Sequence, residues 1–399
     1  MEIKKGYKQT DIGIIPNDWV VKSFKEISFM KGRIGWQGLN QTEFTTNSDE
    51  PFLITGMNFK DGVIRWDEVY HVSIKRYEIA KEIQLKADDI LMTKDGTIGK
   101  LLYVDKIPNP GMATLNSHLL VFRPIRNSYI PRFLYYQLLS KFFFNFIELN
   151  KSGSTFFGIS QQAVGTYNVF LPSIKEQTAI ATALYDVDKL ISKLEMLIEK
   201  KRAIKQGAMQ QLLKYKEGWK SKKLGEISNV IMGQSPLSKF YNTDGIGLPL
   251  IQGNADVENR KTIIRTYTSK ITKRAKKGDI IMSVRAPVGE ISKATFECCL
   301  GRGVCAISSN NEYLYHYLIH FEKSWAKYST GSTFDSVNSK QVKELEIPIP
   351  ILDEEQIRIA NILTDMDTEI TSVEEKLLKY KLLKNGMMQN LLTGKIRIV

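Results

Sequence analysis

The longest regular pattern of apolar positions in this chain is a heptad seam, and it occurs twice. Ile180, Leu184, Val187, Ile191, Leu194 and Ile198 step by 4, 3, 4, 3, 4, and Ile359, Leu363, Met366, Ile370, Val373, Leu377 and Tyr380 step alike. An a/d repeat sustained over about three heptads predicts a long helix with an apolar stripe laid against a partner helix. Ser173 with Glu176 fits a capping box at the start of the first, and Asp353 with Gln356 looks equivalent in the second. Pro172 and Pro350 stand just upstream, where they do no harm. Roughly 40 residues at ~1.5 Å each make a rod of about 60 Å. The bland reading is two ordinary core helices, but globular helices rarely run this long. Pairing the two with each other, antiparallel, covers both stripes.

Outside these tails the apolar runs are short. Ile90–Met92, Leu119–Phe122, Ile280–Val284 and Val304–Ile307, bounded by Gly, Asn and Asp, predict strands. Helices are expected near Pro131–Ile147 and Tyr313–Ser329. The fold class expected is therefore α+β. Its layout is two repeated domains separated by two long antiparallel coiled-coil helices, related by a pseudo-twofold axis.

The repeat extends beyond the helices. Trp19–Ser28 (WVVKSFKEIS) returns as Trp219–Ser228 (WKSKKLGEIS) at an offset of 200, and Asp89–Gly99 (DILMTKDGTIG) as Asp279–Gly289 (DIIMSVRAPVG) at 190. Ser152–Phe156 (SGSTF) returns as Thr330–Phe334 (TGSTF) at 178. In the tails Glu176, Gln177, Ile180, Ala181 and Leu184 recur as Glu355, Gln356, Ile359, Ala360 and Leu363, at 179. The drift reads as differences in loop length. Similarity is strong at the domain ends and in the tails and poor in the middle of each domain, so two shared frames carry two different surfaces. The expected segments are a first domain at 1–172, a helix at 173–216, a second domain at 217–352, a helix at 353–393 and a tail at 394–399.

Charge narrows the class of partner. The chain has 399 residues, 43% hydrophobic, with a formal net charge of +13. That balance favours a polyanion, nucleic acid or an anionic membrane. Met1–Thr10 is polar and no apolar run of about 18 residues exists, so neither a secretory leader nor a membrane span is expected. Cys298, Cys299 and Cys305 share one apolar run and form no disulfide framework, which suggests a reducing, cytoplasmic setting.

The predicted loops carry groups suited to DNA. In the first domain these are Lys31, Arg33, Trp36, Gln37, Asn58, Lys94, Thr97, Asn116 and Ser154. In the second they are Gln234, Ser235, Gln252, Asn254, Arg260, Arg285, Arg302 and Ser332. Arg and Lys suit guanine edges and phosphate, and Asn and Gln suit adenine edges. For any one of them a solvated surface role competes with a DNA contact.

Catalytic motifs are not found. Gly96-Thr97-Ile98-Gly99-Lys100 has the wrong spacing for a phosphate-binding P-loop, and Asn109-Pro110-Gly111 does not fit an amino-methyltransferase motif. His316 and His320, four apart on an expected helix, suit half a zinc site, but the repeat places them opposite Leu138 and Phe142, which look like packing positions. His71 and His118 have no obvious partner for general-base work.

Along nearly its whole length the chain resembles the specificity subunit of type I restriction-modification systems. The resemblance rests on Ile15-Pro16-Asn17-Asp18-Trp19 with Glu26-Ile27, on Thr93–Gly99, and on Met232-Gly233-Gln234-Ser235-Pro236. Gln252–Asp256, Gly301-Arg302-Gly303 and the closing Gln389–Lys395 complete it. It implies that each target-recognition domain reads one half of a bipartite DNA sequence, and that the coiled coil sets the unread spacer. It implies no active site in this chain. Two methyltransferase subunits using S-adenosylmethionine, and restriction and motor subunits using ATP and magnesium, would join it on double-stranded DNA. A membrane partner is not implied. One departure is Thr93-Lys94-Asp95 in the first domain where the second has Ser283-Val284-Arg285. The alternatives are a non-catalytic protein scaffold or a DNA-modifying enzyme with an unrecognised active site.

Overall fold

The computed structural model describes residues 5–10, 13–34, 38–59, 62–153, 157–309, 311–327 and 336–398. The chain forms two compact units, residues 1–193 with 377–399, and residues 194–376. Each long helix, Ile174–Leu212 and Asp353–Leu391, therefore contributes one segment to each unit. The expected α+β class, its two repeated domains and its two long helices are all present.

Each unit is built on an antiparallel sheet that is buried on both faces. In the first unit the strand order is Ser28–Gly32, Leu119–Pro124, Ile90–Thr93, Leu101–Tyr103. Side chains alternate along a strand. Ile90, Met92, Leu120 and Phe122 face a core that contains helices Pro131–Leu138 and Lys141–Asn150. Leu91, Leu119 and Val121 face the opposite core, against a second sheet of Ala113–Leu115, Phe52–Ile54, Tyr70–Val72 and Phe44–Thr45. The second unit repeats the plan. Asn229–Met232, Val304–Ser308, Ile280–Ser283 and Ile291–Lys293 lie in the same order, with Ile280, Met282, Cys305 and Ile307 on one face and Ile281, Val304 and Ala306 on the other. Its second sheet again contains a parallel pair, Leu250 and Ile251 beside Cys299 and Leu300, as Phe52–Ile54 runs parallel to Ala113–Leu115. The sequence-divergent middles thus share one set of strand pairings, to which the second unit adds Val257–Glu258, Lys261–Thr262 and Arg274–Ala275.

All four expected strands form. The helix expected over Pro131–Ile147 is two, because Ser140 adopts an extended conformation between them and restarts the helix. The one expected from Tyr313 begins at Glu312 and ends at Phe321, followed by a 3-10 segment to Lys327.

Seam positions of both long helices are buried or half-buried, Ile180, Leu184, Ile359 and Leu363 most completely. Within each unit the helix segments run antiparallel. In the first, Asp188 pairs with Lys384 at 2.6 Å, and Ile180 and Leu184 share a core with Leu391 and Leu392. In the second, Lys201 pairs with Glu369 at 2.5 Å and Lys205 with Asp367. Such exposed pairs contribute little each, so the apolar stripe carries the packing.

The helix starts differ from the expected capping boxes. The Ser173 hydroxyl accepts from the Glu176 amide at 3.2 Å, but the Glu176 carboxylate turns inward. It accepts from the Trp19 indole at 3.3 Å and from Arg397 at 2.5 and 2.7 Å, and Arg397 also binds Asp18 at 2.8 Å. A buried carboxylate is stable only with such partners. Through Arg397 the closing tail is docked on the first unit, where Tyr7 also donates to the Gly394 carbonyl at 2.9 Å. The adjacent glutamines are the repeated element: Gln177 donates to the Pro172 carbonyl at 2.9 Å and Gln356 to that of Pro350 at 3.0 Å. Each ties a helix start to its own domain.

His316 is fully buried, with Nε2 at 2.9 Å from the Thr364 hydroxyl. Burial pushes its pKa down to about 4, assisted by the nearby Lys205 ammonium and opposed by Asp367. The unfolded chain, with a histidine near 6.5, binds the proton first, so this group's contribution to stability is complete above about pH 6.5 and is lost as pH falls toward 4. Urea unfolding at pH 7.5 and pH 5 should show the second unit losing on the order of 2 kcal/mol between them. His316→Leu should flatten that dependence, and an unchanged slope would refute the assignment.

Candidate DNA interface

The expected DNA-facing residues sort by what holds them. Trp36, Gln37, Ser154 and Ser332 lie outside the described residues. Arg33 points inward: it is 4% exposed, donating to the Leu115 carbonyl at 2.8 Å and the Thr114 hydroxyl at 3.1 Å. Burial lowers its pKa to about 10, which leaves it a cation at neutral pH. Arg260 clasps Glu322 with both terminal nitrogens, at 2.5 and 2.9 Å, and Asn254 donates its amide to Glu290. Asn58 accepts from the Thr55 amide at 2.8 Å and shapes a local turn. Asn116 does likewise with the His118 amide at 3.0 Å. Lys31 pairs with Glu82 at 3.0 Å.

The rest gather around one loop in each unit. In the first, the buried Thr93 hydroxyl donates to the Thr97 carbonyl and accepts from the Lys100 amide at 3.0 Å, which ties off residues 94–98 as a projecting loop. In the second, the buried Ser283 hydroxyl donates to the Pro287 carbonyl at 2.6 Å and accepts from the Glu290 amide at 2.9 Å. The bases of both loops are anchored alike. The Lys94 amide donates to His118 and the Val284 amide to Gly303, both at 2.9 Å. The Lys94 and Val284 carbonyls accept from Ile159 and Val337 at 2.8 and 3.1 Å. These matching bonds make Lys94 equivalent to Val284 and Asp95 equivalent to Arg285.

Beside the first loop lies an open cleft of about 510 Å³, lined by Gly32, Arg33, Ile34, Lys94, Asp95 and Ser160 among others. Thr97 is exposed and Lys94 half-buried at its edge. His118, which has no obvious partner in the sequence, places Nδ1 2.6 Å from Asp95 Oδ1. They are 23 residues apart, on loops that only the sheet brings together.

In the second unit, glycines let three backbones touch. A Cβ on Gly233 would meet the Gly301 carbonyl oxygen at 2.1 Å, and one on Gly303 would meet that of Gln252 at 2.1 Å. The Gln234 amide donates to the Leu300 carbonyl at 2.9 Å, and the Arg302 amide to the Ser235 hydroxyl at 3.0 Å. The result places Gln234, Ser235, Gln252, Arg285 and Arg302 along one rim, with Ser235 half-buried and the others exposed. Cations, amides and a hydroxyl on projecting loops are the groups that read base edges and hold phosphate. Tyr241, which the sequence did not single out, joins this rim by donating its hydroxyl to the Gln252 side-chain oxygen Oε1 at 3.4 Å.

Among the described residues no cluster of three or more His, Cys, Asp or Glu side chains is placed to hold a metal ion, and no helix is long and apolar enough to cross a membrane.

The family model described as type I restriction modification DNA specificity domain matches this chain twice, over residues 16–205 and 216–380. The chain is 31% identical to a protein of Methanocaldococcus jannaschii provisionally named as the MjaX type I restriction enzyme specificity subunit, covering 99% of this chain and 97% of that one. It is 26% identical to the EcoR124I/EcoR124II specificity subunit of Escherichia coli over 42% of this chain and 46% of that one. Among solved structures it is similar to the type I restriction-modification S subunit from M. genitalium, with a TM-score of 0.66 at 15% identity, covering 98% of both chains. A chain from a structure of the assembly and conformational transition of the type I R-M system gives 0.59 at 22% identity, covering 96% of this chain and 99% of that one. Two matches of the family model, in step with two copies of one central sheet and one hydroxyl-tied loop, place this chain in the family of DNA specificity subunits of type I restriction-modification systems.

Proposed function

We propose that this chain reads a bipartite DNA target, one half-site per domain, and directs adenine methyltransferase subunits and restriction subunits to it. The observation that carries the reading is the doubled loop platform. The same hydroxyl-tied loop and the same sheet recur in both units, but the side chains presented on them differ. One frame with two surfaces suits a target with two unlike halves. The net charge of +13 suits a DNA partner.

Catalysis lies in the partners in this reading. S-adenosylmethionine, ATP and magnesium belong to a pair of methyltransferase subunits and to motor and restriction subunits. This chain supplies sequence recognition and spacing. Its two 39-residue helices, each about 58 Å long, are the ruler between half-sites. Half-sites read from one face of the duplex lie about one helical turn, ~34 Å, apart, or follow the groove at another fixed spacing.

Removing one heptad from each helix should shorten the unread gap or abolish methylation, as read by genome-wide adenine-methylation mapping in cells that co-express the neighbouring methyltransferase. An unchanged gap would reject the ruler. Binding of the assembled complex to its target duplex should weaken steeply with salt, with log K falling linearly in log salt concentration at about 0.9 per phosphate neutralised. Affinity indifferent to salt would favour a scaffold that binds proteins only.

A further inference from the structure

The two loop tips occupy equivalent places in the fold and carry opposite charges, Asp95 and Arg285. Each pairs by an isolated antiparallel bridge with the matching segment, Asp95 with Gly158 and Arg285 with Ser336. The Arg285 guanidinium is not held by a carboxylate among the described residues, as that of Arg260 is by Glu322. Arg285 is exposed, with no side-chain hydrogen bond among the described residues. The Asp95 side chain is 38% exposed, and His118 holds Oδ1 while Oδ2 has no partner among the described residues.

A carboxylate on a DNA-facing loop cannot serve as a phosphate anchor, because like charges repel. The donors it can meet on DNA are exocyclic amino groups in the groove, and cytosine N4 is the one a carboxylate suits. The His118 Nδ1 contact at 2.6 Å holds Oδ1 and leaves Oδ2 as the second acceptor of the half-exposed Asp95 carboxylate. A guanidinium at the same place suits the guanine O6 and N7 acceptors, which it meets with two parallel hydrogen bonds.

We infer that Asp95, positioned by His118, and Arg285 are specificity-determining residues at equivalent positions, Asp95 selecting a cytosine in one half-site and Arg285 a guanine in the other. The inference rests on the DNA-reading function proposed above and adds the chemistry that distinguishes the halves. It assigns the one charge reversal within the repeated loop to base choice, and leaves Lys94, Thr97 and Arg302 to phosphate or to other bases.

The test co-expresses the full chain with its methyltransferase and maps adenine methylation across the genome. A wild-type complex that yields no bipartite motif would refute the DNA-reading function itself. Given such a motif, Asp95→Ala should make one cytosine position degenerate, and Asp95→Asn should move it toward adenine. Arg285→Gln should shift one guanine of the other half toward adenine. Discrimination at the affected position should fall roughly ten- to hundredfold, with the other half and the gap unchanged. His118→Gln should weaken the same position as Asp95→Ala, by less.

A second measurement uses the wild-type complex, so the folding of variants does not enter. Duplexes carrying 7-deazaguanine at each guanine in turn lack the N7 acceptor, and one guanine of the Arg285 half should lose about tenfold or more in binding. No sensitive guanine in either half overturns the assignment for Arg285. A motif that stays intact in every variant overturns the inference, as do variants that alter both halves together, or lower methylation equally at all sites.

Discussion

A sheet that is apolar on both faces must be covered on both, and each domain of this protein is arranged around that requirement. Ile90, Met92, Leu120 and Phe122 need one apolar layer and Leu91, Leu119 and Val121 another. Helices supply the first and a second sheet the other, leaving the edge strands and the strand ends nearest to water. Projecting loops therefore emerge at those ends, and that is where the candidate DNA-facing residues are found. The scaffold can remain constant while loop chemistry changes, because burial constrains the sheet and not the loop tips.

The same apolar layer binds the helices to the domains. Ile180 and Leu184 belong to the first unit's core, and Ile359 and Leu363 to the second's. A helix start whose side chains are part of a domain core cannot swivel freely. Gln177 and Gln356, each donating to the carbonyl of a proline just before the helix, add a directional hydrogen bond to that apolar contact. In the first unit the Arg397 bridge to Glu176 and Asp18 adds the chain's closing segment to the junction.

Hydroxyl groups decide the local form of the two projecting loops. Thr93 and Ser283 are buried, and each satisfies both its donor and acceptor capacity across the neck of a five-residue loop. A buried hydroxyl left unpaired would be costly, so the closed neck is the low-energy form of this sequence. Above the neck the residues are free to vary, and they do: Lys94-Asp95-Gly96 in one loop stands opposite Val284-Arg285-Ala286 in the other.

Periodicity and repeated landmarks sufficed to identify two domains, two long helices and two strands of each central sheet; charge pointed to a polyanion, and the family came from a resemblance carried by short motifs in a doubled order. These follow from patterns local in sequence: a 3.5-residue apolar period, a two-residue alternation, and matched segments such as WVVKSFKEIS and WKSKKLGEIS. The tertiary structure decided which candidates are available. Arg33 and Arg260 read as surface cations in the sequence, yet one is buried against Thr114 and Leu115 and the other is held by Glu322. His118 found Asp95, and Glu176 left its expected cap for Arg397 and Trp19. The common topology of the dissimilar domain middles was also out of reach, since short apolar strands show where they are but not which neighbour they pair with. Such partnerships join residues tens to hundreds of positions apart. Sequence spacing does not encode which loop a sheet brings beside which, whereas the geometry of strand pairing does.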